Sequence, residues 1–239
     1  MSVKNRLDHE LFERGLVASR SQAESYIKLG KVKVDGKTIT KSGYFVRSDS
    51  KVELLQAEQF VSRAALKLAG ASDFFNINFK NKIVLDVGSS TGGFSDYALK
   101  RGAKKIYAVE VGTNQLHPIL QNNPKIELHE QTDIRSFRPL STPDIILIDV
   151  SFISLRQILP HIKDISSKNS LIVAMLKPQF ETDGASKHKG VIKNDSFRRQ
   201  IIKSFELWVK TQFVIHKKTD SQVAGEKGNV ERFYLLSPL

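Results

Sequence analysis

Residues 83–94 read IVLDVGSSTGGF, and this stretch decides the fold of the 239-residue chain. The apolar run up to Val87 predicts a buried strand, and the glycines after it predict a tight turn into a helix. Gly88 and Gly92 let the backbone approach a ligand closely, because neither carries a Cβ atom. The spacing differs from G-x-G-x-x-G and includes no P-loop lysine, so neither a dinucleotide nor a P-loop site is indicated.

Strands and helices alternate on both sides of this turn. The predicted strands are 83–87, 105–109, 126–129, 145–149, 171–176, 213–217 and 233–236. The predicted helices between them are 94–101, 113–121, 154–165 and 195–209. This alternation is typical of a doubly wound α/β sheet.

The first part of the chain has a different pattern. Leu7, Leu11 and Phe12 indicate one face of a first helix, and the capping-box pattern of residues 21–24 predicts the start of a second. An Asp35-Gly36 pair between alternating residues predicts a β-hairpin. We therefore predict a small α+β domain over residues 1–54, a linker over 55–60 and the larger domain over 61–239.

Composition limits the function classes. The formal net charge is +12 and the sequence pI is about 9.8, which suits a polyanionic partner such as nucleic acid. The absence of cysteine excludes disulfides, thiolate zinc sites and a cysteine nucleophile. The histidines lack metal-ligand spacing, so we expect no metal site. The apolar runs are too short to span a bilayer, so we expect a cytoplasmic protein without a membrane partner.

Acidic residues stand at the ends of successive predicted strands. Asp86 can accept from an ammonium group, Glu110 follows the glycine turn at a distance that suits a ribose diol, and Asp133 could meet an adenine edge. With Asp149, this set resembles the S-adenosyl-L-methionine-binding class of Rossmann-like methyltransferases, which implies a seven-stranded sheet. The cofactor-binding residues that the resemblance implies are Asp86, Gly88, Ser89, Ser90, Thr91, Gly92, Phe94, Glu110, Asp133 and Asp149.

The nucleophile that would take a methyl group can be narrowed by chemistry. Carbon-5 pyrimidine enzymes need a cysteine, which is absent. Enzymes that methylate base amines usually carry Asn/Asp-Pro-Pro-Tyr/Phe, whereas residues 149–152 read DVSF, which weakens but does not exclude that target. A ribose 2′-hydroxyl needs a base or a polarising network, and a lysine can supply it.

Four residues match the Lys-Asp-Lys-Glu tetrad of the FtsJ-like RNA 2′-O-methyltransferases. They are Lys67, Asp149, Lys177 and Glu231. The resemblance implies that Lys177 is the base and that Asp149 orients it, while Lys67 and Glu231 complete the network. The polar stretch 180–191 that follows could form a substrate lid or a plain connection.

Residues 6–49 resemble an S4 domain, a family that binds structured RNA through two helices and the following hairpin. The resemblance implies RNA contacts at Arg6, Ser19, Arg20, Gln22 and Lys31, and we add Arg63 at the start of the larger domain.

The S4-like unit followed by motifs at 62–67, 86–88, 149–154, 177–181 and 228–231 is similar to the TlyA family. The resemblance implies 2′-O-methylation of cytidine in the ribosomal RNA of ribosomal subunits, and that family also carries a haemolysin label. The alternatives are an RNA-binding ribosome assembly factor with little turnover, a base-amine RNA methyltransferase and a membrane-active haemolysin. The sequence leaves the methylated nucleotide and the oligomeric state open.

Overall fold

A computed structural model describes residues 4–17, 19–55, 60–182, 191–192, 194–223, 225 and 228–239. The elements of the first unit are β1 (Lys4–Arg6), α1 (Leu7–Glu13), α2 (Arg20–Lys28), β2 (Val32–Val34), β3 (Lys37–Thr38), β4 (Phe45–Arg47) and β5 (Val52–Leu54). Strands β1 and β4 form an antiparallel ribbon, and β3-β2-β5 form a second small sheet.

The predicted hairpin is confirmed, because β2 pairs antiparallel with β3. Asp35 and Gly36 have φ values of 49° and 78°. Two positive φ values in a two-residue loop define a turn whose twist matches the flanking strands, which is why Asp-Gly is favoured there.

Two details of the first helices differ from the prediction. Helix α2 begins two residues earlier than the 21–24 pattern predicts, because Ser19 is its N-cap and accepts a hydrogen bond from the Gln22 backbone N–H at 3.2 Å. Phe12 is 42% exposed, so it does not share the buried face of Leu7 and Leu11. A seven-residue helix has room for a narrow apolar stripe, and the rest of its surface meets solvent.

The larger unit contains a seven-stranded sheet, as predicted. Its elements are α3 (Arg63–Phe75), β6 (Ile83–Val87), α4 (Gly93–Lys100), β7 (Lys105–Val109), α5 (Pro118–Gln121), β8 (Ile126–His129), β9 (Ile145–Ile148), α6 (Leu155–Asp164), β10 (Leu171–Leu176), α7 (Asp195–Val209), β11 (Phe213–Asp220) and β12 (Arg232–Pro238). The strand order is β11-β12-β10-β9-β6-β7-β8. Strand β12 is antiparallel to both neighbours, and the other pairs are parallel.

Helices cover both faces of this sheet, which explains why its central strands are apolar throughout. Val84 and Leu147 point to the layer that contains α3 and α4. Leu85 and Ile146 point to the opposite layer, which contains α6 and α7. Because successive side chains of a strand alternate between faces, a strand covered on both sides needs apolar residues at every position.

The helix predicted over 113–121 is wrong in length, since α5 covers only Pro118–Gln121. Asn114 has a φ of 53°, and His117 is extended ahead of Pro118. Proline disfavours helical geometry in the residue before it and is well suited to the first position of a helix, which accounts for the start of α5 at Pro118.

The predicted linker, 55–60, lies largely outside the described residues, which omit 56–59. Its last residue is part of the core. Phe60 is 4% exposed, its ring lies 5.7 Å from that of Tyr97, and its carbonyl accepts from Gln22 Nε2 at 3.0 Å. The same apolar cluster contains residues of both units, so α2 packs against the helices of the larger unit through Phe60.

No helix in the described part of the chain combines the length and the apolarity needed to cross a membrane.

Candidate active site at the carboxyl edge of the sheet

Two adjoining cavities open where the strand order reverses, between β6 and β9. The chain leaves β6 toward β7 on one side and leaves β9 toward β10 on the other, which creates a crevice at the carboxyl ends. The larger cavity has a volume of about 430 Å³ and the smaller about 200 Å³. Residues that line both are Gly88, Ser90, Asp149 and Ser151.

Asp86 places a buried carboxylate beside the smaller cavity. Its side chain is almost fully buried, and its Oδ2 accepts from Ser95 Oγ at 2.6 Å. Within the described ranges, its Oδ1 has no hydrogen-bond partner, and neither does the nearby buried Ser89 Oγ. Burial raises the pKa of Asp86 to about 7; the Ser95 hydrogen bond opposes this shift, and the carboxylates of Asp149 and Glu110 add to it. A buried carboxylate with one oxygen free of protein partners suits a cationic or hydrogen-bond-donating ligand.

Glu110 and Asp133 lie together at the larger cavity. Glu110 is buried, and its two carboxylate oxygens accept from the backbone N–H groups of Ser90 and Gly112 at 2.9 and 2.8 Å. These bonds fix the carboxylate and leave it lone pairs for a diol. Asp133 is ion-paired with Arg135 at 2.6 Å, and hydrogen bonds from Arg135 hold its pKa below the usual value.

The glycines of the turn have different roles. Gly88 lines both cavities with a φ of 78°, and a Cβ atom there would lie 2.5 Å from the Asp149 carbonyl oxygen. Gly92 is among the lining residues of neither cavity. A Cβ atom on Gly92 would meet the side chains of Leu116 and Leu120 instead. The structure therefore gives Gly92 a packing role at the start of α4. Thr91 and Phe94 line the smaller cavity.

Lys177 and Asp149 form an ion pair at the boundary between the cavities. The Lys177 Nζ lies 2.7 Å from Asp149 Oδ1, and it donates a hydrogen bond to Ser151 Oγ at 2.8 Å. The two charged side chains retain 12% and 17% exposure. The ammonium is thus held in a largely enclosed position that opens toward the smaller cavity, which Lys177 lines, while Asp149 lines both cavities.

Lys67 and Glu231 form a second ion pair, with 2.6 Å between Lys67 Nζ and Glu231 Oε2. Both side chains are largely buried, and they join α3 to the segment that enters β12. Neither residue is among those that line the two cavities. The four predicted tetrad residues therefore form two tight Lys–carboxylate pairs.

Ser151 and Phe152 belong to this site, although the sequence reasoning did not select them. Ser151 lines both cavities and accepts from Lys177. Phe152 is 88% exposed with a φ of 65°, and its ring lies 5.1 Å from that of Phe180. A non-glycine residue with positive φ at a binding edge is a typical sign of functional strain. The available signal was their position directly after Asp149.

Glu181 fastens the loop after β10 to the loop after β9. Its Oε2 accepts from Ser154 Oγ at 2.6 Å, and its Oε1 accepts from the Leu155 backbone N–H at 2.7 Å. The carboxyl is buried, and burial raises its pKa. Because these loops carry Lys177 and Asp149, Glu181 fixes the separation of the two catalytic candidates. Most of the stretch 180–191, for which the sequence left a substrate lid or a plain connection open, lies outside the described residues, which omit 183–190.

The residues predicted to contact RNA do not form one uniform set. Arg6 and Arg20 are half-exposed, and both donate to the fully buried Asp8, at 2.9 and 3.0 Å for the shortest contacts. Lys31 is exposed, and Ser19 caps α2.

The structure contradicts the predicted RNA contact of Gln22. It is 4% exposed and donates to the Phe60 carbonyl, so its side chain supports the contact between the two units instead of facing a ligand. Arg63 begins α3, next to Ala64, which lines the smaller cavity.

Family models match two segments of the chain. Residues 60–237 match the FtsJ-like methyltransferase model, and residues 5–52 match the S4 domain model. The class that the fold and the site define is therefore an FtsJ-like methyltransferase preceded by an S4 domain.

Relatives narrow the class. The 23S rRNA (cytidine-2'-O)-methyltransferase TlyA of Campylobacter jejuni is 43% identical over 77% of this chain and 73% of its own length. Hemolysin A of Brachyspira hyodysenteriae is 36% identical over 95% and 97%, respectively. A solved hemolysin-like protein from Streptococcus thermophilus superposes with a TM-score of 0.71 at 33% identity, covering 100% of this chain and 90% of that one. The chain belongs to the TlyA family.

Proposed function

We propose that this protein transfers a methyl group from S-adenosyl-L-methionine to the ribose 2′-oxygen of a cytidine in ribosomal RNA. The observation that carries the proposal is the Lys177–Asp149 pair, held at the junction of two cavities at the sheet's carboxyl edge. Relatives that cover most of the chain are named rRNA (cytidine-2'-O)-methyltransferases, which supports the same reaction.

The residues at the two cavities fit this cofactor. Asp86 and Ser89 offer buried polar atoms without partners, which suit the amino and carboxylate groups of a methionine moiety. Glu110 would hold the ribose hydroxyls and Asp133 would lie near the adenine, since both line the larger cavity. When bound, the cofactor supplies an electrophilic methyl group on a sulfonium.

Lys177 would act as the general base for the target hydroxyl. In its neutral form it accepts the proton from the 2′-hydroxyl, and the ammonium that results is the ion-paired form held by Asp149 and Ser151. Lys67 and Glu231 would brace the neighbouring backbone, because their pair joins α3 to the entry of β12. Phe152, which lines the larger cavity, offers an exposed ring for the target nucleobase.

The basic charge and the S4 domain support a ribosomal substrate. A net charge of +12 favours binding to a phosphate backbone, and the S4 match covers residues 5–52. We propose that ribosomal subunits are the natural substrate and that the protein acts in the cytoplasm. We propose that residues 1–54 and 61–239 form the two functional domains and that Phe60 packs between them.

The test is methyl transfer from labelled cofactor to each purified ribosomal subunit, with the labelled nucleoside identified after digestion. The proposal predicts label in 2′-O-methylcytidine. Label on a base amine would instead identify a base methyltransferase. Cofactor binding without transfer to either subunit would favour an RNA-binding assembly factor.

The raised pKa of Asp86 predicts a pH dependence of stability. In the unfolded chain this carboxyl ionises near 3.8, and in the folded protein near 7. Between these values the folded state binds one more proton, so this group's contribution to the free energy of unfolding falls as pH rises from about 4 to about 7. Denaturant titrations at several pH values should show that fall, and Asp86→Asn should remove it. An equal pH slope in both proteins would contradict the assignment.

Removal of the Glu181 carboxylate should lower kcat without a comparable change in the cofactor Kd. Glu181→Ala loses the bonds to Ser154 and Leu155, so the loops that carry Lys177 and Asp149 are no longer fastened. We expect kcat to fall at least tenfold and the cofactor Kd to change little. The free energy of unfolding should fall by about 1–2 kcal/mol, because the first turn of α6 loses a hydrogen-bond acceptor. Glu181→Gln keeps one acceptor and should recover part of kcat. An unchanged kcat in a folded Glu181→Ala protein would show that the loops hold their positions without it.

A further inference from the structure

The ribbon formed by β1 and β4 has one exposed face and one buried face. Its register pairs Lys4 with Arg47 and Arg6 with Phe45. Directly opposed residues of an antiparallel pair project to the same face, and so do residues two positions apart on one strand. The four side chains therefore share the outer face, while the alternate residue Val46 is 2% exposed in the core.

The outer face combines three cations with one aromatic ring. Phe45 is 59% exposed, so its ring is accessible to a binding partner. Arg6 lies directly opposite it. Asp8 is shared between Arg6 and Arg20, so one buried carboxylate fixes two guanidinium groups and leaves their outward edges for other partners.

The carboxylates near this face leave it positive. Arg47 pairs with Asp49 at 3.2 Å, but both side chains are more than 60% exposed, and such surface pairs contribute little. Glu24 lies 3.9 Å from Arg6, at the limit of an ion pair. A face of cations around one exposed ring matches a phosphate backbone with an accessible base better than it matches an apolar protein surface.

We propose that this ribbon is an RNA contact in which Phe45 stacks on an unpaired nucleobase and Lys4, Arg6 and Arg47 bind the flanking phosphates. The inference rests on the proposed RNA substrate, and it names a feature of that substrate. Paired bases in an A-form helix are not accessible for stacking on a side chain, so the RNA bound here contains a loop, bulge or end. The S4 unit thus recognises an unpaired base at a site separate from the methylated nucleotide.

The test is the affinity of Phe45→Ala for protein-free ribosomal RNA, measured beside the wild-type protein. Loss of one base stack should raise the Kd by about five- to a hundredfold. We expect the KM for RNA to rise while kcat at saturating RNA and the cofactor Kd are unchanged. Phe45→Tyr should restore binding and Phe45→Leu should not, since stacking needs a ring.

Phe74→Ala is the matched control. Phe74 is 57% exposed, and it lies at the end of α3 that is remote from the cavities. This variant should bind RNA as the wild type does. Wild-type affinity in Phe45→Ala would overturn the inference, and so would a defect seen with intact subunits but not with protein-free RNA, because that pattern indicates a ribosomal protein. If the wild type transfers no methyl group, the proposed function is wrong. The RNA affinities of the wild type and of Phe45→Ala still test the proposed contact between the ribbon and RNA.

Discussion

Replacement of Lys177 by alanine is expected to lower the rate of methyl transfer by about 10²- to 10⁴-fold, which is the usual contribution of a general base. The cofactor Kd should change little, because the unpartnered atoms of Asp86 and Ser89 and the carboxylate of Glu110 are untouched. Single-turnover transfer to ribosomal subunits and equilibrium binding of the cofactor measure the two effects separately.

Two variants decide what Lys177 contributes. Lys177→Arg keeps a positive charge that cannot be lost near neutral pH, so it should be nearly as inactive as the alanine variant if the residue acts as a base. Substantial activity in Lys177→Arg would show that the positive charge suffices. Lys168→Ala removes an exposed lysine before β10 and should transfer at the wild-type rate.

Gly88→Ala is expected to abolish most cofactor binding and to destabilise the fold. The new methyl group would lie 2.5 Å from the Asp149 carbonyl oxygen, and the residue would keep a φ of 78°. Left-handed geometry costs alanine about 1–2 kcal/mol, and overpacking against a backbone atom adds about 1–3 kcal/mol. To relieve the clash, the end of β6 must move away from the end of β9. Because both cavities open between these two ends, we expect the cofactor Kd to rise at least tenfold.

Gly15→Ala separates the strain from the clash. Gly15 has a φ of 66°, and nothing lies within 4 Å of the position its Cβ atom would occupy. The free energy of unfolding of Gly15→Ala should therefore fall only by the cost of left-handed backbone geometry, about 1–2 kcal/mol. Its cofactor Kd should equal that of the wild type. If Gly88→Ala and Gly15→Ala prove equal in both denaturation and cofactor binding, the close approach to Asp149 has no functional consequence.

The catalytic sheet could be predicted from the sequence because burial on both faces leaves a strong signal. Strands such as β6 and β7 are short apolar runs between turns, and their predicted bounds match the structure. The last two strands were predicted too short. They form an antiparallel hairpin that extends into polar residues 218–220, where pairing with β12 substitutes for an apolar pattern.

The candidate site could be predicted in part, because the carboxyl ends of parallel strands meet at one edge. That rule brought Asp86, Glu110 and Asp149 together. The pairing of Lys67 with Glu231 joins residues 164 positions apart, and no local pattern encodes such a contact. Gln22 was assigned to RNA by the resemblance to the S4 family, and a family resemblance does not show that in this chain the residue faces the neighbouring unit.

The position of β12 has a consequence for how the enzyme becomes active. This strand follows the other six strands of the sheet in chain order, yet it lies between β10 and β11 in the interior of the sheet. Glu231, the partner of Lys67, directly precedes it. Until β12 is in place, the sheet therefore has a gap between β10 and β11, and Lys67 lacks its carboxylate partner. Completion of the sheet and formation of the Lys67–Glu231 pair thus depend on one event, the insertion of β12 between its two neighbours.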